Sequence, residues 1–234
     1  MEWCRVERNH VVSVFDEVAS YYDRGRGRWY DALTRTIGPV KGLVLDAGAG
    51  TGEIACRLAL RGAEVVAVDS SLGMLRVLAR RSRRRRVAHL VRPIAAHLPL
   101  IPLRNRCADC VIAAAVLHHL YGRQRRVLTL KEIGRVLKRN ARGFVVVWYR
   151  YHPKNLLTAV KWVLRGASWG DVMVPWRKRK RTMLRYYHLY SRRELCKDIA
   201  DAGLAGEVLL WDPRAKVLKR NLLAVVFSRR GSSQ

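Results

Sequence analysis

The chain is short of acid. Eighteen Asp and Glu stand against 46 Lys and Arg in 234 residues, leaving a formal net charge of +28 at neutral pH. Self-repulsion of that size is tolerated where a polyanion is the partner, and RNA or DNA leads that class. Of the 46 basic residues 36 are arginine, which adds bidentate phosphate contacts and base stacking to plain charge. Glutamine is scarcer still, at Gln124 and Gln234 alone. Compositional bias in a heat-adapted organism would explain that and the choice of arginine over lysine, but not so few acids. Long apolar runs are also missing. The hydrophobic stretches have strand length, and the opening residues Met1 to Arg5 lack the charged-then-apolar layout of a signal peptide, so the expectation is a soluble, cytoplasmic chain with no membrane association. Five cysteines, an odd number lying mostly in apolar segments, suit a reducing compartment. Cys107-x-x-Cys110 could be a redox pair or half of a metal site, but no second pair accompanies it, and no metal is expected. Half of the residues are hydrophobic, enough for one large α/β domain over 1–234 without repeats.

The densest signal is Leu43-Val44-Leu45-Asp46-Ala47-Gly48-Ala49-Gly50-Thr51-Gly52, an apolar strand running into a glycine-rich turn and then a helix. Glycine at 48, 50 and 52 lets backbone approach a ligand that a Cβ would push away, and the following helix aims free N–H groups at it. A second strand over 64–68 ends in Asp69, where an acid can accept hydrogen bonds from both hydroxyls of a ribose. A dinucleotide fingerprint would space its glycines G-x-G-x-x-G. Here the spacing is G-x-G-x-G with Asp46 two places before it, a pattern that resembles motif I of the class I S-adenosylmethionine-dependent methyltransferases. That resemblance implies S-adenosyl-L-methionine as cofactor, held by Asp46, Gly48, Gly50, Gly52 and Asp69.

Around this motif, helices over 11–22 and 28–37 precede the first strand, separated by Arg24-Gly25-Arg26-Gly27. Strands near 43–47, 64–68, 87–91, 109–115 and 143–149 alternate with helices at 52–61, 71–81 and 124–138, as a parallel doubly wound sheet requires. A helix over 191–202 and strands at 207–211 and 222–227 close the chain. The expected fold is therefore α/β, a class I methyltransferase Rossmann-like sheet with an antiparallel C-terminal hairpin, and an inserted segment over 150–190 after strand five. Residues at strand C-terminal ends share the ligand face. The run Arg80 to Arg86, interrupted only by Ser82, ends the helix after strand two. Its place is the far side or flank, where it grips an extended backbone or is simply a solvated basic loop.

The turn after strand four reads Ala115-Val116-Leu117-His118-His119-Leu120. It lacks the Asn- or Asp-Pro-Pro-aromatic turn suited to an amine acceptor, and Cys107 and Cys110 are poorly placed as thiol nucleophiles for uracil C5. Two imidazoles remain at the lip of the pocket, at least one of which ordinary packing would occupy. Further on, Asp171-Val172-Met173-Val174-Pro175-Trp176, Arg185-Tyr186-Tyr187-His188-Leu189-Tyr190 and Glu194-Leu195, together with Val14-Phe15-Asp16-Glu17-Val18-Ala19, resemble the tRNA wobble-uridine carboxyl methyltransferase family. The resemblance spans most of the chain. It implies methylation of the carboxylate of 5-carboxymethyluridine in the tRNA anticodon loop, and a small zinc-binding activator subunit as partner.

A carboxylate with a pKa near 4 is ionised at neutral pH and needs no general base; it needs cations that orient it. On this reading Arg26, Arg185 and one of His118 or His119 hold the uridine and its carboxylate. Tyr186, Tyr187, His188 and Tyr190 contact the splayed bases, core packing being the competing account of the tyrosines. Arg177 and Arg179 contact phosphate. The acid that often precedes Leu-Pro after strand three is missing from Ile94 to Pro99, which leaves the adenine to backbone groups or the cofactor weakly bound without a partner's help. Two other readings stay open. A small-molecule methyltransferase of the quinone or lipid-precursor type shares the strand-four histidines, and a non-catalytic RNA-binding protein on the same fold would explain the charge.

Overall fold

The computed structural model describes residues 8–23, 27–178, 181–211 and 220–228, with the backbone alone for 8–11, 177, 178 and 181. Helix α1 (Arg8–Val18) opens the described residues, and five parallel strands follow: β1 (Leu43–Ala47), β2 (Glu64–Asp69), β3 (Val91–Ala95), β4 (Ala108–Ala114) and β5 (Leu137–Trp148). The inserted hairpin supplies β6 (Asp171–Lys178) and β7 (Arg181–His188), and β8 (Leu204–Trp211) and β9 (Asn221–Ser228) end the chain. Seven strands form one sheet in the order β3-β2-β1-β4-β5-β9-β8, with β9 antiparallel to β5 and β8. The expected fold class is observed. The inner strands β1, β2 and β4 are buried on both faces because helices cover both. Leu45 and Val66 join the cluster under α5 (Arg123–Val136) and α7 (Arg192–Asp201), and their neighbours Val44 and Val65 join the one under α2 (Gly27–Ile37), α3 (Glu53–Ala59) and α4 (Leu72–Arg84). No helix among the described residues is long and apolar enough to cross a membrane.

Two expectations are corrected. Strand three lies at Val91–Ala95, not 87–91, because Val87 is buried where α4 ends, its N–H bonded to the Ser82 carbonyl. Pro93 sits within β3 because that strand is a sheet edge, where a missing N–H faces no partner. The arginine run ends the helix after β2, as expected, and the competing account of it as a solvated basic loop is what is corrected. Most of it is the last turns of α4, which continues to Arg84.

The insertion has its own architecture. Helix α6 (Pro153–Val163) leads to the two-stranded β6–β7 sheet, and a charge network holds that hairpin to α7. His188 Nδ1 lies 2.6 Å from Asp171 Oδ1 and its Nε2 2.6 Å from Glu194 Oε1, while Arg150 Nη2 donates to Glu194 Oε2 at 2.6 Å. Glu194 also closes a capping box with Ser191 at the start of α7. Burial acts to raise the Glu194 pKa, but the His188 hydrogen bond and charge together with Arg150 outweigh it and bring the carboxyl down to about 2.

Candidate active site

A cavity of about 400 Å³ opens at the C-terminal ends of the parallel strands. At one end the glycine loop lies against β2: Gly48 and Ala49 donate to the Val68 carbonyl at 2.7 and 3.0 Å. Asp69 accepts from Gly50 N through Oδ2 and from Ser71 N through Oδ1, each at 2.8 Å. The three glycines have positive φ but different duties. A Cβ on Gly48 would meet Val116 Cγ2 at 2.4 Å, and one on Gly52 would meet Leu78 Cγ at 2.3 Å, so Gly52 serves the packing of α3 on α4. Gly50 has open space where its Cβ would be and lines the cavity. Backbone N–H groups, a carboxylate and the room beside Gly50 fit the S-adenosylmethionine that the motif implies, with Gly48, Gly50 and Asp69 as the residues that would hold it. Ala96, His97 and Leu98 continue the wall beyond Asp69. Burial raises the Asp69 pKa against the pull of the Ser71, Gly50 and Ser70 amides.

Asp46 does not line this cavity. It is 1% exposed behind the loop, and its Oδ2 has no hydrogen-bond partner. Burial, then the neighbouring Asp69 charge, push its pKa up to about 7 against the Ala55 amide. The N-terminal segment covers the loop from the other side, through acids that sequence reasoning missed as site residues. Asp16 accepts from Ser71 Oγ at 2.6 Å and Gly73 N at 2.7 Å. Asp23 accepts from Thr51 Oγ1 at 2.6 Å, from Tyr30 Oη at 2.9 Å and from Arg81 Nη2. Arg81 also donates to the Thr51 carbonyl, so one member of the arginine run reaches the cofactor loop. A signal was available, because each acid is conspicuous in a chain with so few.

At the other end the lining is aromatic and cationic. His118 stacks on Tyr187 with centroids 4.8 Å apart and planes at 17°, and Trp148 lies 4.6 Å from Tyr187. His119 Nδ1 donates to the Tyr186 carbonyl at 3.0 Å and packs edge-on against Phe15 at 4.9 Å. The Arg185 guanidinium stands 4.3 Å from the centroid of Trp176 and 5.2 Å from that of Tyr187, and Arg220 stands 4.4 Å from that of Trp148. Asp69 is the one carboxylate among the described residues that line the cavity.

The second late motif therefore splits by strand alternation. Arg185 and Tyr187 face the cavity. Tyr186 and His188 face the other way, with the Tyr186 hydroxyl donating to Asp171 at 2.7 Å and His188 clamped between Asp171 and Glu194. Tyr190 is fully buried and donates to Asp198 at 3.2 Å. The expectation that Tyr186, His188 and Tyr190 contact substrate is corrected for this reason: they anchor the insertion. Arg26 and Arg179 lie outside the described residues, and Arg177 is a backbone position on β6. The sequence reading also missed Trp148, Arg220 and Asn221. The antiparallel β9 starts at the edge where β5 ends, Asn221 pairing with Trp148, so the expected C-terminal hairpin was itself the signal. Cys107 and Cys110 are free thiols, and burial pushes the Cys110 pKa up to about 12.

Residues 45–145 match the methyltransferase domain family. The chain is 30% identical over 210 residues to the demethylmenaquinone methyltransferase of Thermobifida fusca (strain YX), covering 85% of this chain and 84% of that protein. It is 27% identical over 174 residues to the tRNA (carboxymethyluridine(34)-5-O)-methyltransferase of Arabidopsis thaliana, covering 72% of this chain but 40% of that protein. The solved DhpI-SAM-HEP complex superposes with a TM-score of 0.69 at 21% identity, over 93% of this chain and 96% of that one. With the glycine cradle, the acid that ends β2 and the fold alongside these similarities, the chain belongs to the class I S-adenosylmethionine-dependent methyltransferases.

Proposed function

We propose that this enzyme is a tRNA methyltransferase that esterifies the carboxylate of 5-carboxymethyluridine at the anticodon wobble position. The observation that carries the reading is the acceptor end of the cavity, where Arg185 and Arg220 lie over aromatic rings beside His118 and His119. S-adenosylmethionine, when bound, supplies a sulfonium-activated methyl group whose thioether leaves without protonation. The protein's own task is then to hold an already ionised acceptor in line and exclude water. Tyr187 and Trp148 offer faces for a splayed base, and the arginines orient the anion. A guanidinium shared with aromatic rings orients a carboxylate without fully neutralising it, which preserves its nucleophilicity. Arg26, Arg177 and Arg179 complete the substrate contacts in this reading, and a small zinc-binding activator subunit is its partner.

The test is transfer from labelled S-adenosylmethionine to tRNA from cells lacking the gene, with and without a candidate activator subunit, followed by mass spectrometry of the nucleosides. A new base-labile methyl ester on uridine is expected. No transfer to any tRNA, despite measurable cofactor binding, would overturn the reading. A quinone-type acceptor is the second reading, favoured by the similarity to the demethylmenaquinone enzyme over 84% of its length. Steep salt dependence of substrate binding separates tRNA from a small apolar acceptor.

A further inference from the structure

The arginine run is divided by helical phase. Arg81 and Arg85 point toward α3, where both pair with Glu53, and Arg81 also meets Asp23. Arg76, Arg80, Arg83 and Arg84 fall at helical spacing on the opposite, exposed side of α4. None of these four pairs with a carboxylate among the described residues. They span about 12 Å of helix at 1.5 Å per residue. Val77, at the border of this stripe, packs in one cluster with Val14, Val18, Trp176 and Met183. Trp176 in turn stacks on Tyr22, which lines the cavity, at 5.7 Å. The stripe therefore borders the covered flank that leads to the acceptor end, rather than a remote edge of the sheet.

Resting on the tRNA reading above, we infer that the α4 stripe grips the phosphate backbone of the duplex stem next to the unpaired loop that enters the cavity. The two surfaces differ in chemistry in the way a stem and a loop differ. The cavity pairs arginine with aromatic faces, which suits unstacked bases. The stripe offers guanidinium on a rigid helix with no exposed aromatic among its four residues, which reads phosphate and no base. An excess of unpaired positive charge on one helix face matches a partner whose charge is continuous.

The experiment compares the wild-type chain with the combined Arg76→Gln, Arg80→Gln, Arg83→Gln and Arg84→Gln variant, which leaves the Arg81 and Arg85 ion pairs intact. Fluorescence anisotropy follows binding to tRNA and to a single-stranded oligonucleotide of the anticodon-loop sequence across a salt series, and calorimetry with S-adenosylmethionine reports on the fold. The variant is expected to bind tRNA about 30- to 100-fold more weakly at 0.1 M salt. Its slope of log affinity against log salt should be shallower by about 0.7–0.9 for each phosphate that is no longer neutralised. Affinities for the oligonucleotide and the cofactor should stay within about twofold. Unchanged tRNA affinity and slope would overturn the stripe's role and leave the tRNA reading standing. An equal loss for the oligonucleotide would overturn its assignment to the stem. A wild-type chain that binds no tRNA even at low salt would overturn the tRNA reading and this inference together.

Discussion

The two ends of the cavity are built by different means. The cofactor end comes from consecutive residues: β1, a turn and the start of α3, with one acid from the adjacent strand tying Gly50 to Ser71. The acceptor end comes from side chains scattered along the chain, Phe15, His118, Trp148, Arg185 and Arg220 among them. A Cβ added at Gly48 or Gly52 has no room, whereas side-chain recognition is graded. Substitutions should therefore act as a switch at one end and as a dial at the other.

The largest effect is expected at Gly48. Its Cβ would meet Val116 at 2.4 Å in a backbone with φ of 75°, so Gly48→Val has to displace the loop from the turn after β4. Calorimetry should show cofactor affinity falling by more than about 100-fold. Retained affinity would break the contrast, because the loop would then be adjustable.

At the acceptor end, Arg185→Met should lower kcat/KM for tRNA by about 100-fold, on the order of 2.7 kcal/mol, and leave the affinity for S-adenosylmethionine unchanged. Arg185→Lys should recover only part of that, since an ammonium cannot lie flat over Trp176 while orienting a carboxylate. Equal loss of cofactor affinity in both variants would merge the two ends into one unit.

The same division sets what the sequence makes legible. The glycine spacing, Asp69 and the succession of strands and helices along the chain could be read directly because local motifs and hydrophobic periodicity encode them. Asp46 was readable as part of the motif but not as a carboxyl sealed behind the loop. At the acceptor end, Arg185 to Tyr190 was singled out as a block, yet a strand presents alternate residues to opposite sides, and the facing of β7 is set by its packing on Phe15 and His119. Trp148 and Arg220 meet only through the antiparallel pairing of β5 with β9. Such long-range pairing leaves no local mark.

The carboxyl sealed behind the glycine loop and the one that anchors the insertion to α7 should respond oppositely to pH. Burial holds the Asp46 pKa at about 7 when folded, above the unfolded value, so the folded state keeps a proton that the unfolded state releases. Stability from this group is full below about pH 4 and is lost as pH rises to about 7. The Glu194 pKa is depressed to about 2, so its contribution is present above about pH 4.5 and is lost as pH falls toward 2. Each effect has a ceiling of about 1.4 kcal/mol per pH unit within its window. Chemical denaturation of the cofactor-free chain across pH should show Asp46→Asn flattening the upper limb and Glu194→Gln the lower. If Asp46→Asn leaves the slope between pH 4 and 7 unchanged, the carboxyl is ionised in the folded chain.

The smallest effect sharpens the contrast within β7 itself. Tyr186 and Tyr187 are adjacent and both buried, but only Tyr187 lines the cavity. Tyr186→Phe removes the hydroxyl that donates to Asp171, a bond to a charged acceptor whose loss should cost about 1.5–3 kcal/mol of stability. Because that face joins the insertion to α7 and not to the acceptor, kcat/KM should stay within about twofold of wild type at a temperature where the variant is folded. Tyr187→Ala should do the reverse in kind: it removes the ring against which His118 stacks and over which Arg185 sits, and transfer should fall along with stability. A Tyr186→Phe enzyme that kept its stability and lost transfer would mean that β7 presents its other face to the acceptor, and the assignment of Arg185 and Tyr187 to the cavity would have to be reversed.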